Sequence, residues 1–345
     1  MVLFLFQIIR VFNSVFVSVY VKIDLRCRKT CRKNQRRLFV MKEMKKIAVL
    51  LPCYNEALTI AKVVSDFKVS LPEADIYVYD NNSTDGSAEI AKKQGVKVCH
   101  VRQQGKGFVV RRMFQEIDAD CYVMADSDDT YPADEVKKLI KPIFDQEADM
   151  VVGDRLSSTY LKENKRQFHG IGNRLVRFLI GKMFHYPIHD VMTGFRAFSR
   201  RFVKNCPVLS GGFEIETEMT LFSLDKRMPI AEVPITYRDR PKGSVSKLNT
   251  FSDGFKVLLL IFNMFRNYKP LAFFSVMAVI LLLLAGIAMV PVLYDYVQTG
   301  LVPKYPTLIV AGFTALAGLL SLVCGIVLDS IKKYHDQQFE IGLNR

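Results

Sequence analysis

Tryptophan is absent from the 345 residues, so no motif that depends on that side chain exists in this chain. Cysteine is scarce: seven residues, an odd number scattered along the chain, give no disulfide framework and fit a reducing compartment. The sequence also lacks the polarity of a disordered chain, since half of it is apolar, a high fraction for a wholly soluble protein. Acid is in deficit, 34 Asp and Glu against 48 Lys and Arg. The resulting net charge of +14 invites nucleic acid, an anionic membrane surface or a phosphorylated ligand. Composition alone does not choose among these.

The charge is unevenly spread. Residues 1–40 carry nine basic side chains, Arg10, Lys22 and Arg37 among them, against the single acid Asp24, a net +8 that leaves +6 for all the rest. An apolar run from Val2 to Val21, broken by Arg10, precedes a Lys/Arg-rich stretch reaching Lys46. Basic residues that follow the apolar run, with no small-residue cleavage site, argue against a secretory signal. Three readings stay open for this leader: an extra membrane anchor, an interfacial amphipathic segment, or sequence upstream of a true start at Met41 or Met44. Cys27 and Cys31, among these cations, belong to an unpaired basic linker or to a metal or lipidation site.

Charge is missing again from two long stretches, between Lys269 and Asp295 and between Lys304 and Asp329. Each exceeds the roughly 20 residues needed to cross a bilayer. Gly286, Gly312, Gly318 and Gly325 suit close helix packing. Lys256, Arg266 and Lys269 precede the pair and Lys332 and Lys333 follow it, while the loop between has only Asp295 and Lys304. By the positive-inside rule both outer ends, and with them residues 46–268, are expected in the cytosol.

Upstream of the hairpin, short apolar strands alternate with helical patterns. Strands are predicted at Ile47–Leu51, Ile76–Tyr79, Lys97–Val101, Cys121–Ala125 and Met150–Gly153. Helices are predicted from Ala57 to about Val69, and after Ser83 and Thr84, which can cap a helix that Gly95 ends. The alternation implies an α/β fold, a mainly parallel sheet with helices on both faces. Ligands of such sheets bind beyond the carboxyl ends of the strands. The residues there are Pro52 to Glu56, Asp80 to Asp85, Gly105-Lys106-Gly107, Asp126-Ser127-Asp128-Asp129 and Asp154-Arg155.

Asp126 and Asp128, at i and i+2 off an apolar strand, can hold one Mg²⁺ or Mn²⁺ and leave positions for substrate phosphate oxygens. The alternative is an acidic turn in which Asp caps a helix at Pro132. Gly105-Lys106-Gly107 lacks the Walker spacing and the Ser/Thr after the lysine. Backbone N–H groups at a helix N-terminus, with Lys106 and Arg111, nevertheless form a candidate anion site.

PCYNE (52–56), DNNSTDGS (80–87), GKG (105–107), DSD (126–128), GDR (153–155), DVMTGFRAF (190–198), FEIETEM (213–219) and RPKGSVSK (240–247), followed by two spans, occur in this order. The set resembles the family 2 glycosyltransferases of GT-A, Rossmann-like fold, and within them the polyprenyl-phosphate, dolichol-phosphate mannosyltransferase-like branch. The resemblance covers residues 46 to about 335. It implies that Pro52, Tyr54, Glu56 and Asp80 line a nucleoside pocket, and that Asp126, Ser127 and Asp128, with Lys106, handle metal and diphosphate. Arg240, Ser244 and Lys247, in a loop similar to the family's RxxGxSK, would close over the donor phosphates. Arg155 and Arg177 are implied receivers of an acceptor phosphate, for which guanidinium offers bidentate contacts. Arg155 as a salt-bridge partner and Arg177 as a membrane-surface cation are the plainer readings. Asn81 and Asn82 stand where the commoner DDGSTD has Asp and Gly; Asn also tolerates the turn conformation.

The activity implied is inverting, metal-dependent transfer from a nucleotide sugar, UDP-linked by preference, to a polyprenyl phosphate, with undecaprenyl phosphate favoured. It would take place at the cytosolic face of the inner membrane and serve cell-envelope glycan synthesis or modification. A phosphomonoester, whose second pKa is about 6, is mostly dianionic at neutral pH and needs orientation more than deprotonation. Asp190, Glu214 and Glu216 are site candidates, as base or as structural groups. Helical stretches 168–185 and 248–267 mix apolar residues such as Phe178, Phe255 and Phe262 with Arg177, Lys256 and Arg266, which suits interfacial helices or a core stripe. The expected organisation is a leader (1–45), a GT-A catalytic domain (46–240), a donor-phosphate loop with interfacial helix (241–268), two transmembrane helices (269–330) and a cytosolic tail (331–345). Self-association is left open.

Among competitors, processive polysaccharide synthases share the GT-A core but use a QxxRW motif, which a chain without tryptophan lacks. Val123–Thr130 imitates the DxDxT signature of haloacid-dehalogenase phosphatases, in which Asp126 would be a phosphorylated nucleophile; Ser157 and Ser158 stand where that family wants an acid. A non-catalytic membrane adaptor needs no convergent polar loops, and the basic block in the leader disfavours nucleic acid. A family 2 enzyme acting on a lipid-linked sugar hydroxyl remains an alternative.

Overall fold

The computed structural model describes residues 45–157, 167–212, 214–241, 259 and 262–343. The leader with Cys27 and Cys31, Ser244, Lys247 and most of the 248–267 stretch lie outside the described residues. The chain divides into two compact units, Met1–Lys45 and Lys46–Arg345, and every described strand and helix belongs to the second.

The strands are β1 (Ile47–Cys53), β2 (Asp75–Asp80), β3 (Lys97–His100), β4 (Cys121–Met124), β5 (Met150–Asp154), β6 (Arg196–Ser199) and β7 (Ile230–Pro234). They form one sheet in the order β3-β2-β1-β4-β6-β5-β7. Every neighbouring pair is parallel except those of β6, which runs against both β4 and β5. The reversal matters for the site. The start of β6, where Arg196 pairs with Met124, lies at the edge where β4 ends.

Strand β1 is covered on both faces, which is why it is an unbroken apolar run. Ile47, Val49 and Leu51 join one core with Ile60, Val64 and Phe67. Ala48 and Leu50 join the other with Val110, Met113, Phe198 and Met219. The helices are α1 (Ile60–Ser70), α2 (Ser87–Lys93), α3 (Lys106–Glu116), α4 (Val136–Phe144), α5 (Gln167–Phe184), α6 (Arg200–Asn205), α7 (Ile215–Asp225), α8 (Pro270–Thr299) and α9 (Tyr305–Leu343).

Helix α2 does not start on Ser83 or Thr84. Gly86, at φ 85°, occupies its N-cap position, and Ser83 and Thr84 are drawn instead to Asn55 of the β1 loop. Asp85 accepts from the N–H groups of Ala57 and Ser87 and thus ties the two loops together. Burial raises the Asp85 carboxyl, but the Ser87 hydroxyl and these N–H donors outweigh it and hold the group below its usual range. Its contribution to stability is therefore present above the unfolded-state pKa and lost as pH falls through the lower folded one. Asp85→Ala is expected to cost about 1 kcal/mol at pH 7, typical of a lost cap, and less in acid, as read from urea unfolding at several pH values.

Helices α8 and α9 are long and apolar enough to cross a membrane. Most of their surface is bare hydrocarbon, including Leu283, Ile287, Val297 and Phe313. They pack on each other where side chains are small: a Cβ on Gly325 would come within 2.8 Å of the Phe274 Cβ, whereas Gly286 and Gly312 face open space. Helix α9 does not end with the apolar run but continues to Leu343. At the other end of the pair, Met264 in the helical segment 262–268 packs with Val176 and Ile180 of α5.

Candidate active site

The carboxyl edges of β1, β2 and β4 bring three loops together. Ser127 donates its hydroxyl to the Pro52 carbonyl at 2.9 Å, and the Thr59 hydroxyl donates to the Ser127 carbonyl at 2.7 Å, so the β1 and β4 loops are stitched to each other. Asn55, at φ 53°, takes a left-handed turn and accepts from Thr84. Asn82 is also left-handed at φ 63°, the conformation that Gly would otherwise supply there. The Asn81 amide donates to the carbonyls of Val101 and Gln103 and accepts from Gly105 N–H, which fixes the loop ahead of α3.

Asp80 is buried beside these loops. Its Oδ2 receives Ser83 N–H at 3.3 Å and lies 3.2 Å from His100 Nδ1. Its Oδ1 is buried with no hydrogen-bond partner among the described residues. Such an orphan acceptor is costly and calls for a donor from outside the protein. Tyr54 stands exposed at the mouth of the same loop.

The two acids after β4 are each held by a cation from a distant segment. Lys106, the first residue of α3, lies 2.5 Å from Asp126 Oδ1 and 2.6 Å from Glu216 Oε1 on α7. Arg240 Nη2 lies 2.5 Å from Asp128 Oδ2, whose other oxygen accepts from the Thr130 hydroxyl at 2.6 Å. Burial alone would push the Lys106 ammonium down, but Asp126 and Glu216 outweigh it and hold the group above the lysine range. The Asp128 carboxyl is raised by its own burial and by the nearby Asp126 charge, against the opposing pull of Arg240 and Thr130. Arg240 reaches this point because the chain after β7 is pinned along the way. The Thr236 hydroxyl donates to Glu135, and Arg238 N–H donates to the Thr130 carbonyl.

The pair fits a hard divalent ion. Asp126 and Asp128 offer anionic oxygens at one edge, and among the described residues they belong to no cluster of three or more metal-ligating side chains. Two carboxylates suit an ion such as Mg²⁺, which completes its shell from phosphates and water.

Arg155, at the end of β5, grips Asp190 through Nε at 2.7 Å and Nη2 at 3.0 Å. The pair is deeply buried, and Arg155 also lies over the Tyr237 ring. Arg177, on α5, donates to the Ile188 carbonyl, two residues before Asp190. Glu214 precedes α7, with its Oε2 against Gly212.

Several residues of the site carry no signal in single-residue chemistry. Gly194 lies so close to Asp126 that a Cβ would meet its carboxylate at 2.7 Å, and its N–H donates to the Tyr131 hydroxyl. Arg196 is wholly buried and donates to the carbonyls of Thr193 and Val191 and to the Thr220 hydroxyl. Burial pulls its guanidinium down to about 10, so it remains a cation at neutral pH. Both residues belong to the 190–198 motif, which was the only sequence clue to them.

The glycines around Lys106 serve close approach. Gly107 N–H donates to the Gly211 carbonyl at 3.1 Å, and a Cβ on Gly107 would fall 1.8 Å from the Ser210 carbonyl oxygen. Glu218 on α7 holds that loop by accepting from the N–H groups of Leu209 and Ser210. Gly107→Ala is therefore expected to cost about 1–3 kcal/mol or more, as overpacking does, and to displace Lys106. Thermal unfolding of the purified variant checks it, and an unchanged midpoint would contradict the close contact.

The chain is similar to known proteins. Residues 48–206 match Glycosyl transferase family 2. Glycosyltransferase AglJ of Haloferax volcanii is 31% identical over 297 residues, 85% of this chain and 96% of that protein. The dolichyl-phosphate hexose transferase of the same organism is 32% identical over 213 residues, 60% of this chain and 89% of that protein. In fold, the crystal structure of M. tuberculosis glucosyl-3-phosphoglycerate synthase is similar with a TM-score of 0.52 and 22% identity, over 63% of this chain and 81% of that one. With relatives of this kind matching almost end to end, and the GT-A sheet carrying its acidic pair where β4 ends, the chain belongs to the family 2 glycosyltransferases and is a hexosyltransferase.

Proposed function

We propose that the enzyme transfers a hexose from a UDP-sugar to a polyprenyl phosphate, with undecaprenyl phosphate the favoured acceptor, and inverts the anomeric carbon at the cytosolic face of the membrane. One observation carries the choice of acceptor. Asp190 is locked in a bidentate pair with Arg155 and Glu216 is bound to Lys106. As held, neither of these two carboxylates is placed to act as a base, which favours an acceptor that brings its own anionic nucleophile, as a phosphate does. A sugar hydroxyl would need a base that neither of these paired carboxylates supplies. The relative whose name includes a dolichyl-phosphate acceptor supports the same choice.

The orphan Oδ1 of Asp80 supports uracil. Uracil presents an N–H at ring position 3, and cytosine presents an acceptor there, so a buried carboxylate favours the first. Asp126 and Asp128 would hold Mg²⁺ or Mn²⁺, which supplies charge neutralisation for the departing diphosphate. Lys106 and Arg240 would donate to the diphosphate oxygens, and Ser244 and Lys247, which follow Arg240 in the sequence, are proposed to join them. Arg155, oriented by Asp190, receives the acceptor phosphate together with Arg177. Both ends of the apolar hairpin return to the catalytic domain, at Met264 and at Phe339, which keeps the site beside the lipid surface.

The test uses the full-length enzyme in detergent with a panel of UDP-, GDP- and CDP-sugars and undecaprenyl phosphate. UDP release that requires the lipid phosphate and stops with EDTA is expected. Release with a GDP- or CDP-sugar alone would overturn the donor assignment, and turnover unaffected by chelation would overturn the metal.

A further inference from the structure

Helix α7 is anchored at both ends by charge. Its first turn carries Glu216, bound to Lys106 and through it to Asp126. At its last residue Asp225 receives Lys332 of α9 at 2.8 Å, and Lys226, just beyond it, contacts Asp336 of α9. Lys332 also pairs with Asp336 at 3.1 Å, and Lys226 with Asp225 at 3.4 Å. His335 Nδ1 lies 3.4 Å from Lys226. Lys226 is largely buried, and its ammonium lies over the Phe339 ring, which itself meets Phe222 of α7 edge to face at 5.9 Å. Four charges of alternating sign, one of them a buried lysine closed on one side by an aromatic contact, do not form by surface chance. Isolated exposed pairs are worth little, whereas a network held against apolar cover has few alternative arrangements.

The centre of α7 is held just as firmly. Thr220 donates to the Glu216 carbonyl and accepts from the buried Arg196. The helix is thus braced between the two charge clusters, so displacement at one end is transmitted to the other.

We propose that Asp225, Lys226, Lys332 and Asp336 form a clasp through which the membrane hairpin positions α7, and with it Glu216 and Lys106, for transfer to a lipid-embedded acceptor. The lipid part rests on the polyprenyl-phosphate reading above. The four residues touch no reacting group. They are positioning residues, and their loss acts on where the acceptor phosphate meets the donor.

The test takes the full chain in nanodiscs as wild type, Lys226→Glu, Asp336→Lys and the double swap, in which two acids again face two lysines. Hydrogen exchange over residues 215–220 is expected to quicken about tenfold in each single variant and to recover in the double swap. Transfer to undecaprenyl phosphate and to a short, water-soluble polyprenyl phosphate should both fall about tenfold in the singles, because both need Lys106, and both should recover in the double swap. Exchange unchanged in the singles, or transfer that the double swap does not restore, overturns the clasp. If the wild type transfers to neither lipid, the functional reading falls, and the exchange experiment, which needs no substrate, still decides whether α9 holds α7.

Discussion

Asp128→Asn is expected to lower sugar transfer by about 10²–10³-fold, the loss typical of removing one group that stabilises developing charge. The substitution keeps the shape and the acceptor oxygen that Thr130 uses, and it deletes the negative charge that faces Arg240 and, on the proposed reading, would face a divalent ion. The fold should not suffer. Burial and the Asp126 charge raise the Asp128 carboxyl in the folded protein, so ionising it opposes folding once pH passes the unfolded-state pKa. Asparagine removes that cost at pH 7, and the melting temperature should hold or rise as activity collapses, the trade-off common in active sites. Rates of UDP release and a thermal melt on the same sample check both halves. Undiminished turnover would remove Asp128 from the reaction, and a melting point many degrees lower would mean that the carboxylate is structural.

Lys106→Met is expected to do the opposite to stability. Methionine keeps much of the apolar stem but leaves Asp126 and Glu216 facing each other in a largely buried place without their shared cation. Breaking such a pair costs about 3 kcal/mol, tempered here because Asp126 is partly open to water. The Lys106 ammonium is raised in the folded state, so its contribution is complete below the lysine value of about 10.4 and is lost only as pH climbs through the higher folded pKa. The penalty should therefore be the same at pH 6 and pH 9 in urea unfolding. Adding Glu216→Gln should restore part of the loss, since one uncompensated charge is then gone. A Lys106→Met protein as stable as wild type would show that the two carboxylates do not depend on this lysine.

How far the sequence could be read followed from where each residue's partners lie. β1 and β4 were legible because both faces are buried and the strands are plain apolar runs ending in polar residues. β6 and β7 were not: RAFS and IAEVP each contain a charge, satisfied by partners far along the chain. Arg196 is caged by carbonyls and Thr220, and Glu232 accepts from His189. Lys106 could be recognised as a cation at a helix start, but one of its partners is 110 residues away. Asn82 shows the reverse, since the tolerance of Asn for a left-handed turn is a local property and the structure has that turn. The polar stretch after Asp329 gave no warning that it continues a helix and docks on α7, because Lys332, Asp336 and Phe339 show their common face only once α7 lies against it.

The length of α9 sets a phase as well as a reach. At about 1.5 Å per residue, its 39 residues extend roughly 58 Å, against about 45 Å for the 30 of α8 and about 30 Å of hydrocarbon. One continuous helix thus joins the small-residue seam at Gly318 and Gly325 to the charged face at Lys332 and Asp336. Each added residue turns the second face by about 100° relative to the first. A single insertion between them would carry the lysine away from Asp225, whereas seven residues, close to two full turns, would restore the facing and lift the catalytic domain by about 10 Å. A change in the length of this segment is therefore expected to keep the clasp only when it comes in steps close to whole helical turns, each of which resets the distance between lipid surface and active site.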